Sequence, residues 1–269
     1  MTHFIIRHFG GTRITIGGKS TLLPNDFPTG LFAYLSHHVN QTIGHGQLAG
    51  LFWPELSERR ARRALSTALW RMNTVTEIAP FIKRTATSIG LTRSRIWVDT
   101  VAFEKHLLHA QRLSKSMPSQ ALSRIKQLIR DSDTGVFTAM RDDWGLQKRF
   151  LLENLHCDAL YLGAQIAGQL NNAMTLTHCA RQLIAREPYR EDIHTLQISH
   201  AAKCGHHASA RKHYDTYRTM MAAEYQAAPK HSLDDLTAPG PRRVMPAIDQ
   251  LRTALTDFEK SLTASASQS

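Results

Sequence analysis

The sequence is poor in cysteine, has no long apolar run and carries no recognisable catalytic signature. Its 269 residues include three cysteines, Cys157, Cys179 and Cys204, with no C-x-x-C spacing. An odd, scattered set excludes a disulfide framework and a structural zinc cluster, and fits a reducing compartment. No apolar run approaches the roughly 18 residues that a membrane span needs. The start, Met1-Thr2-His3-Phe4, lacks a basic stretch leading into an apolar one, so no secretory signal is expected. These absences together predict a cytoplasmic protein.

Motifs for chemistry also fail on inspection. Gly18-Lys19-Ser20 has the end of a phosphate-binding loop, but Arg13 stands where that pattern requires glycine, and Thr21-Leu22-Leu23-Pro24 reads as extended rather than helical. Cys204, His206 and His207 are neighbours, yet adjacent residues on a helix point about 100° apart, so convergent metal ligation is awkward. No Ser-His-Asp set or paired-carboxylate spacing stands out among the 15 histidines and 22 acidic residues. Asp142-Asp143 before Trp144 suits a helix N-terminus. The expectation is no enzyme, no cofactor and no metal.

Positive charge, by contrast, is abundant. Lys and Arg outnumber Asp and Glu by 33 to 22. Residues 1–99 hold 12 basic against 5 acidic residues, while residues 100–269 hold 21 against 17. A basic N-terminal third points to a polyanionic partner.

Residues 4–23 read as short strands separated by Gly10-Gly11 and Gly17-Gly18. A helix after Pro28 places Leu31, Phe32, Leu35 and Val39 on one face, and a second spans about Gly46–Phe52. Trp53-Pro54 ends it, because proline disfavours helix in the residue before it. Ser57 is a suitable N-cap for a third helix to about Val75. Residues 81–85, 88–92 and 95–98 read as three short strands. Strands, three helices and a hairpin make the order of a winged helix-turn-helix.

From Asp99 onward the pattern is helical. Asp99 caps one helix, another runs over Ser119–Arg130, and Trp144 opens an Ala- and Leu-rich series reaching Tyr225. Gly168–Ala173 and Gly205–Ala210 repeat small residues at an offset of 37 residues, near the tetratricopeptide size. Residues 227–243 read as a linker. A short amphipathic helix with Ile248, Leu251, Leu255, Phe258 and Leu262 follows, then a frayed tail. The expected architecture is mainly α with a small β component. Residues 1–99 form a winged helix-turn-helix, 100–238 a tetratricopeptide-like helical repeat domain, and 239–269 the linker, short helix and tail.

The third helix is the most informative element. At 100° per residue, Ala61, Ala64, Leu65, Ala68, Leu69 and Met72 form one apolar stripe. Arg59, Arg63, Ser66, Thr67 and Trp70 lie opposite, with Arg60 and Arg62 on the flanks. An arginine forks onto guanine O6 and N7, and Ser or Thr serves several base edges. Arg60, Arg62 and Arg71 are better placed for phosphates, which fix register without reading sequence. The hairpin adds Lys83, Arg84, Arg93 and Arg95, residue types that straddle a nucleic-acid backbone or enter its minor groove. A solvated basic face is the plainer alternative for all of these.

With those residues in view, Gln47-Leu-Ala-Gly-Leu-Phe-Trp-Pro54 and Ala61-Arg-Arg-Ala-Leu-Ser-Thr-Ala-Leu-Trp-Arg-Met72 resemble the winged-helix region of the SARP-type bacterial activators. Ile89-Gly-Leu and Trp97-Val-Asp-Thr-Val-Ala-Phe-Glu104 resemble their wing and the start of the next domain. Glu187-Pro-Tyr-Arg-Glu-Asp192 and Ala210-Arg-Lys-His-Tyr-Asp-Thr-Tyr217 resemble their bacterial transcriptional activation domain. The resemblance implies an OmpR-like fold that binds double-stranded DNA at direct repeats near a promoter, as a head-to-tail homodimer that recruits RNA polymerase. It implies a bacterial, nucleoid-associated protein without a membrane partner, and leaves room for an effector at the helical domain. It places Arg63, Ser66, Thr67, Trp70 and Arg71 on a recognition helix. Trp70 departs from the small polar residue usual there; it either packs on a thymine methyl or sugar, or turns inward. No receiver domain is expected ahead of the first strand. A protein-interaction or effector-sensing scaffold without specific DNA binding is the competing reading.

Overall fold

The computed structural model describes residues 4–24, 27–92 and 96–238. The wing arginines Arg93 and Arg95 and the helix expected near residues 248–262 lie outside the described residues.

Strands β1 (Phe4–Arg7), β2 (Arg13–Ile16) and β3 (Lys19–Leu22) form an antiparallel meander. Alternation sets its inner face: Phe4, Ile6 and Ile14 are buried while Arg7 is exposed. Helix α1 (Thr29–His37) follows and stops short of Val39. The short strand β4 (Ile43–Gly44) then leads into α2 (His45–Phe52) and α3 (Glu58–Thr74). After a 3-10 turn at Ala79–Phe81, β5 (Ile82–Arg84) and β6 (Ser88–Leu91) make an antiparallel hairpin, and β6 also pairs with β4. Gly90 in β6 is required by close approach, because a Cβ there would run into the Gln41 carbonyl oxygen.

The third expected strand departs from the reading as a continued hairpin. β7 (Ile96–Val98) leaves β5 and β6 and pairs in parallel with β1, completing a sheet of order β3-β2-β1-β7. Its partner lies some ninety residues earlier, and alternation within four residues carries no information about so distant a neighbour. The core between the sheets and helices joins Phe4, Ile6, Phe32, Leu35, Leu48, Leu65, Leu69, Met72, Ile89 and Leu91.

Helices α4 (Asp99–Leu113), α5 (Pro118–Ser132), α6 (Asp143–Gln169) and α7 (Ala173–Arg186) follow, each packed on the next. Gly163 lets α6 approach both neighbours: a Cβ there would meet Ile125 at 3.0 Å and Cys179 at 3.2 Å. The Asp142 carboxylate caps α6 by accepting from Gly145 N–H at 2.8 Å.

The first helical residues are tied to the N-terminal sheet through buried polar groups. Asp99 accepts the backbone N–H of His8 at 2.9 Å, of Phe9 at 3.1 Å and of Thr100 at 2.7 Å. His8 is fully buried between Thr12 and Ser36, with ring nitrogens 3.1 and 3.0 Å from their hydroxyls. His37 sits 2.8 Å from the Ala33 carbonyl through Nδ1 and 3.0 Å from Thr100 Oγ1 through Nε2. A carbonyl only accepts, so Nδ1 carries the proton and Nε2 accepts from Thr100. The Trp144 ring meets Tyr34 and His37 edge-on, and Lys148 of α6 binds Glu104 of α4 at 2.7 Å.

The described residues divide into two compact units, up to residue 193 and from residue 194 onward. Helix α8 (Glu191–Lys203) crosses that boundary, and α9 (His207–Tyr225) and α10 (Leu233–Thr237) follow. The second unit packs Ile198, Ala202, Ala210, Tyr217 and Met221, with Leu233 and Leu236 against them. Tyr217 stacks on His194 at 4.7 Å.

The helical repeat is present, but its register differs from the one expected. Asn172 N–H bonds Ala167 O and Leu176 N–H bonds Asn172 O at one turn; His206 N–H bonds Ala201 O and Ala210 N–H bonds His206 O at the other. Each bond recurs 34 residues later, not 37. The left-handed residues are Asn171 at φ 53° and Gly205 at φ 77°. Gly168 matches Gly205 as a letter only; it lies within α6, and asparagine takes the left-handed position in the first turn.

Candidate nucleic-acid interface

Helix α3 forms because its apolar residues recur at helical spacing, and that spacing also fixes what faces outward. Ala61, Leu65, Ala68, Leu69 and Met72 are buried. Arg59, Arg60, Arg62, Arg63, Ser66, Thr67, Trp70 and Arg71 are all exposed. The ambiguity over Trp70 is resolved in favour of the outer face: the residue is 65% exposed. The expected cap is absent, since Ser57 precedes the helix but makes no side-chain cap bond. Its place in the sequence allowed a cap, but the bond depends on a rotamer that sequence does not set.

The outer face is lightly tied down. Arg62 pairs with Glu58 one turn earlier at 2.7 Å, with both side chains well exposed. Ser66 Oγ donates to Arg62 O at 3.0 Å and Thr67 Oγ1 to Arg63 O at 3.2 Å. Each hydroxyl spends its one proton on its own helix and keeps its lone pairs for an incoming donor.

Helix α2 packs against α3 through Leu48 and Ala49. Its N-terminus lies against the tip of the hairpin, where His45 N–H donates to Thr87 O at 2.8 Å. The tip is held by Thr85, whose hydroxyl lies 2.8 Å from Ser88 Oγ and accepts from the N–H of Thr87 and Ser88. Lys83 and Arg84 are exposed on β5. Burial depresses the His45 pKa, and the positive charges of Arg84 and Arg62 depress it further. Arg84 of the hairpin and Arg62 of α3 therefore both lie near His45 at the start of α2.

Helix α2 starts at His45, one residue before the expected Gly46; a Cβ at Gly44 or Gly46 would meet nothing within 4 Å, and the helix has no side-chain cap. The first of its N–H groups, that of His45, is already bonded to Thr87 O.

The motif Glu187–Asp192 has a structural explanation. Arg190 binds Glu187 and Asp192, each at 3.0 Å, and lies 4.4 Å over the Tyr161 ring. Those carboxylates hold the guanidinium pKa above its ordinary value against the effect of burial. Among the described residues no group of three or more His, Cys, Asp or Glu side chains is placed to hold a metal ion. No helix there is long and apolar enough to cross a membrane.

The family model described as bacterial transcriptional activator domain matches residues 98–239. Among solved structures, Mycobacterium tuberculosis EmbR in complex with a low-affinity phosphopeptide is similar, with a TM-score of 0.72 and 16% identity. The match covers 98% of this chain and 72% of EmbR. No curated protein matches the sequence. One family model thus spans more than half of the sequence behind a winged helix, and the chain belongs to that family, as a SARP-type bacterial transcriptional regulator.

Proposed function

We propose that the outer face of α3 reads duplex DNA in the major groove and that the β5–β6 hairpin straddles the neighbouring backbone. The carrying observation is the division of α3, whose inner side is core while its outer side is basic and open to solvent. Arg59 and Arg63 are placed for guanine edges, and the Ser66 and Thr67 lone pairs for adenine or cytosine amino groups. Trp70 covers a thymine methyl or a sugar. Arg60, Arg62, Arg71, Lys83 and Arg84 neutralise phosphates. Arg93 and Arg95 belong to this wing by sequence.

On this reading residues 1–99 form the DNA-binding domain and residues 100–238 the activation domain. The protein acts in the cytoplasm at the nucleoid, as an activator bound to direct repeats in a head-to-tail pair that recruits RNA polymerase. Its work is recognition, without a catalytic step.

The test is binding to duplexes selected by the protein from a random library, for wild type and Arg63→Ala, across a salt series. Loss of a base contact costs roughly 1–3 kcal/mol and relaxes preference at one position. Arg60→Ala instead weakens all duplexes alike and lowers the slope of log K against log salt by about 0.9. Unchanged affinity and slope in both variants would remove α3 from the interface. The scaffold reading draws on the tetratricopeptide-like turns, and it gains if the library yields no enriched sequence.

A further inference from the structure

A groove of about 330 Å³ runs between α5 and α7 in the first compact unit. Ile129 and the Cys179 thiol, both buried, form its base. Helix α6 backs them closely, because Gly163 has no Cβ; one placed there would meet Cys179 Sγ at 3.2 Å and Ile129 Cδ1 at 3.6 Å. Burial pushes the Cys179 thiol up to about 11 against the pull of the Lys126 charge, so the sulfur stays protonated and serves as an apolar lining group. Met174 stands at the mouth, 78% exposed, the most exposed of the large apolar residues described. An open apolar surface of this kind marks an interaction site, and an unbranched methionine adapts to what it meets.

The charge around this apolar base has one sign. Lys126 and Arg130 border it from α5, one turn apart, and His178 from α7. Arg181 is exposed on the same face of α7, about 10 Å along the axis from Met174. Helix α7 contains no acidic residue. Helix α5 contains one, Asp131, which is bonded to Gln127 at 2.7 Å and lines a different cavity with Phe103 of α4. Among the described residues neither Lys126 nor Arg130 has a carboxylate partner; Arg130 bonds the neutral Gln127 side chain at 2.6 Å.

These two properties together select the occupant. A small carboxylate answers one cation and leaves the others unanswered. A nucleic-acid backbone matches the charge but offers nothing to the apolar base. A polypeptide with several carboxylates around one apolar side chain answers both.

We propose that the groove between α5 and α7 docks an acidic segment of a partner protein, which seats one aromatic or long aliphatic side chain against Ile129 and Met174 while its carboxylates pair with Lys126, Arg130 and Arg181. The groove lies within the residues matched by the activator-domain model, and the proposal stands apart from the DNA-binding reading.

Random dodecapeptides displayed on phage and selected against the full chain test it. Enriched peptides are expected to combine several Asp or Glu with at least one Phe, Trp, Leu or Met. Labelled and followed by anisotropy, they should lose about tenfold or more in affinity on Lys126→Glu, Arg130→Glu and Met174→Glu. Arg124→Glu changes the charge of α5 equally but lies outside the groove, and should leave affinity unchanged. Arg63→Ala on α3 should do likewise. Enrichment of peptides without acidic residues, a loss on Arg124→Glu equal to that on Lys126→Glu, or a loss on Arg63→Ala in place of the groove variants would each overturn the proposal. So would dodecanoate binding abolished by Met174→Glu with no peptide enriched, which assigns the groove to a small amphiphile, or Met174-dependent dimers in sedimentation, which assign it to a second copy. Should Lys126→Glu fail to fold, the exposed positions Arg130 and Met174 still decide it.

Discussion

Two ion pairs of the same 2.7 Å length sit in regions with opposite roles. Glu58–Arg62 lies on the open face of α3, with side chains 78% and 61% exposed; Glu104–Lys148 joins α4 to α6, with side chains 34% and 17% exposed. Around the second pair, polar groups answer one another inside the protein: His8 with Thr12 and Ser36, His37 with Thr100, Asp99 with three N–H donors. Around the first, the arginines face solvent. Polar groups that are answered internally hold the fold together; those left facing outward are available to a partner. His156 falls between the two cases, with one nitrogen bonded and the other not.

Acid gives the largest test of this contrast. Burial lowers the pKa of His8, His37 and His156, the latter two to about 4. Between about pH 6.5 and 4 the unfolded chain then binds more protons than the folded one, so stability falls as pH falls through that window. His37 and His156 contribute up to roughly 3 kcal/mol each. Denaturant unfolding measured from pH 7.5 to 4 should show this loss, and His37→Gln should remove its own share of it while His8 and His156 keep theirs. A flat wild-type profile would break the contrast, because it would mean that these rings are already protonated or exposed.

How much of this the sequence revealed follows from the range of the interaction. The stripe on α3 was legible because a 3.6-residue period depends only on near neighbours. The parallel partnership of β7 with β1 was not, and neither were the polar links of His8 to Ser36 or Asp99 to His8, because their members lie 28 and 91 residues apart. Histidines that looked scattered along the chain are gathered by the fold. The repeat was found, but three residues out of register, because its turn is set by a backbone conformation that asparagine and glycine both adopt. The resemblance to SARP-type activators correctly indicated the family from motifs.

The next effect is smaller and separates the two ion pairs directly. Lys148→Met removes a half-buried charge and leaves Glu104 without its partner. A loss of about 1–2 kcal/mol is expected, between the values for exposed and fully buried pairs. Thermal unfolding at fixed pH checks it, and a loss indistinguishable from zero would place this pair with the surface pairs.

The smallest effect has two readouts of opposite sign. Glu58→Gln keeps the side-chain size but removes the carboxylate that Arg62 pairs with. An exposed pair one turn apart contributes only about 0.3–0.5 kcal/mol, and a first-turn carboxylate adds a comparable amount through the helix dipole, so stability should fall by under about 1 kcal/mol. Affinity for duplex DNA should rise, because Arg62 is released and a negative charge leaves the basic face; the slope of log K against log salt steepens accordingly. Fluorescence anisotropy between 50 and 200 mM salt, set beside unfolding of the same variant, reads both. Weaker DNA binding together with lower stability would show that Glu58 serves the partner rather than restraining Arg62, and the open face of α3 would then have to be assigned differently.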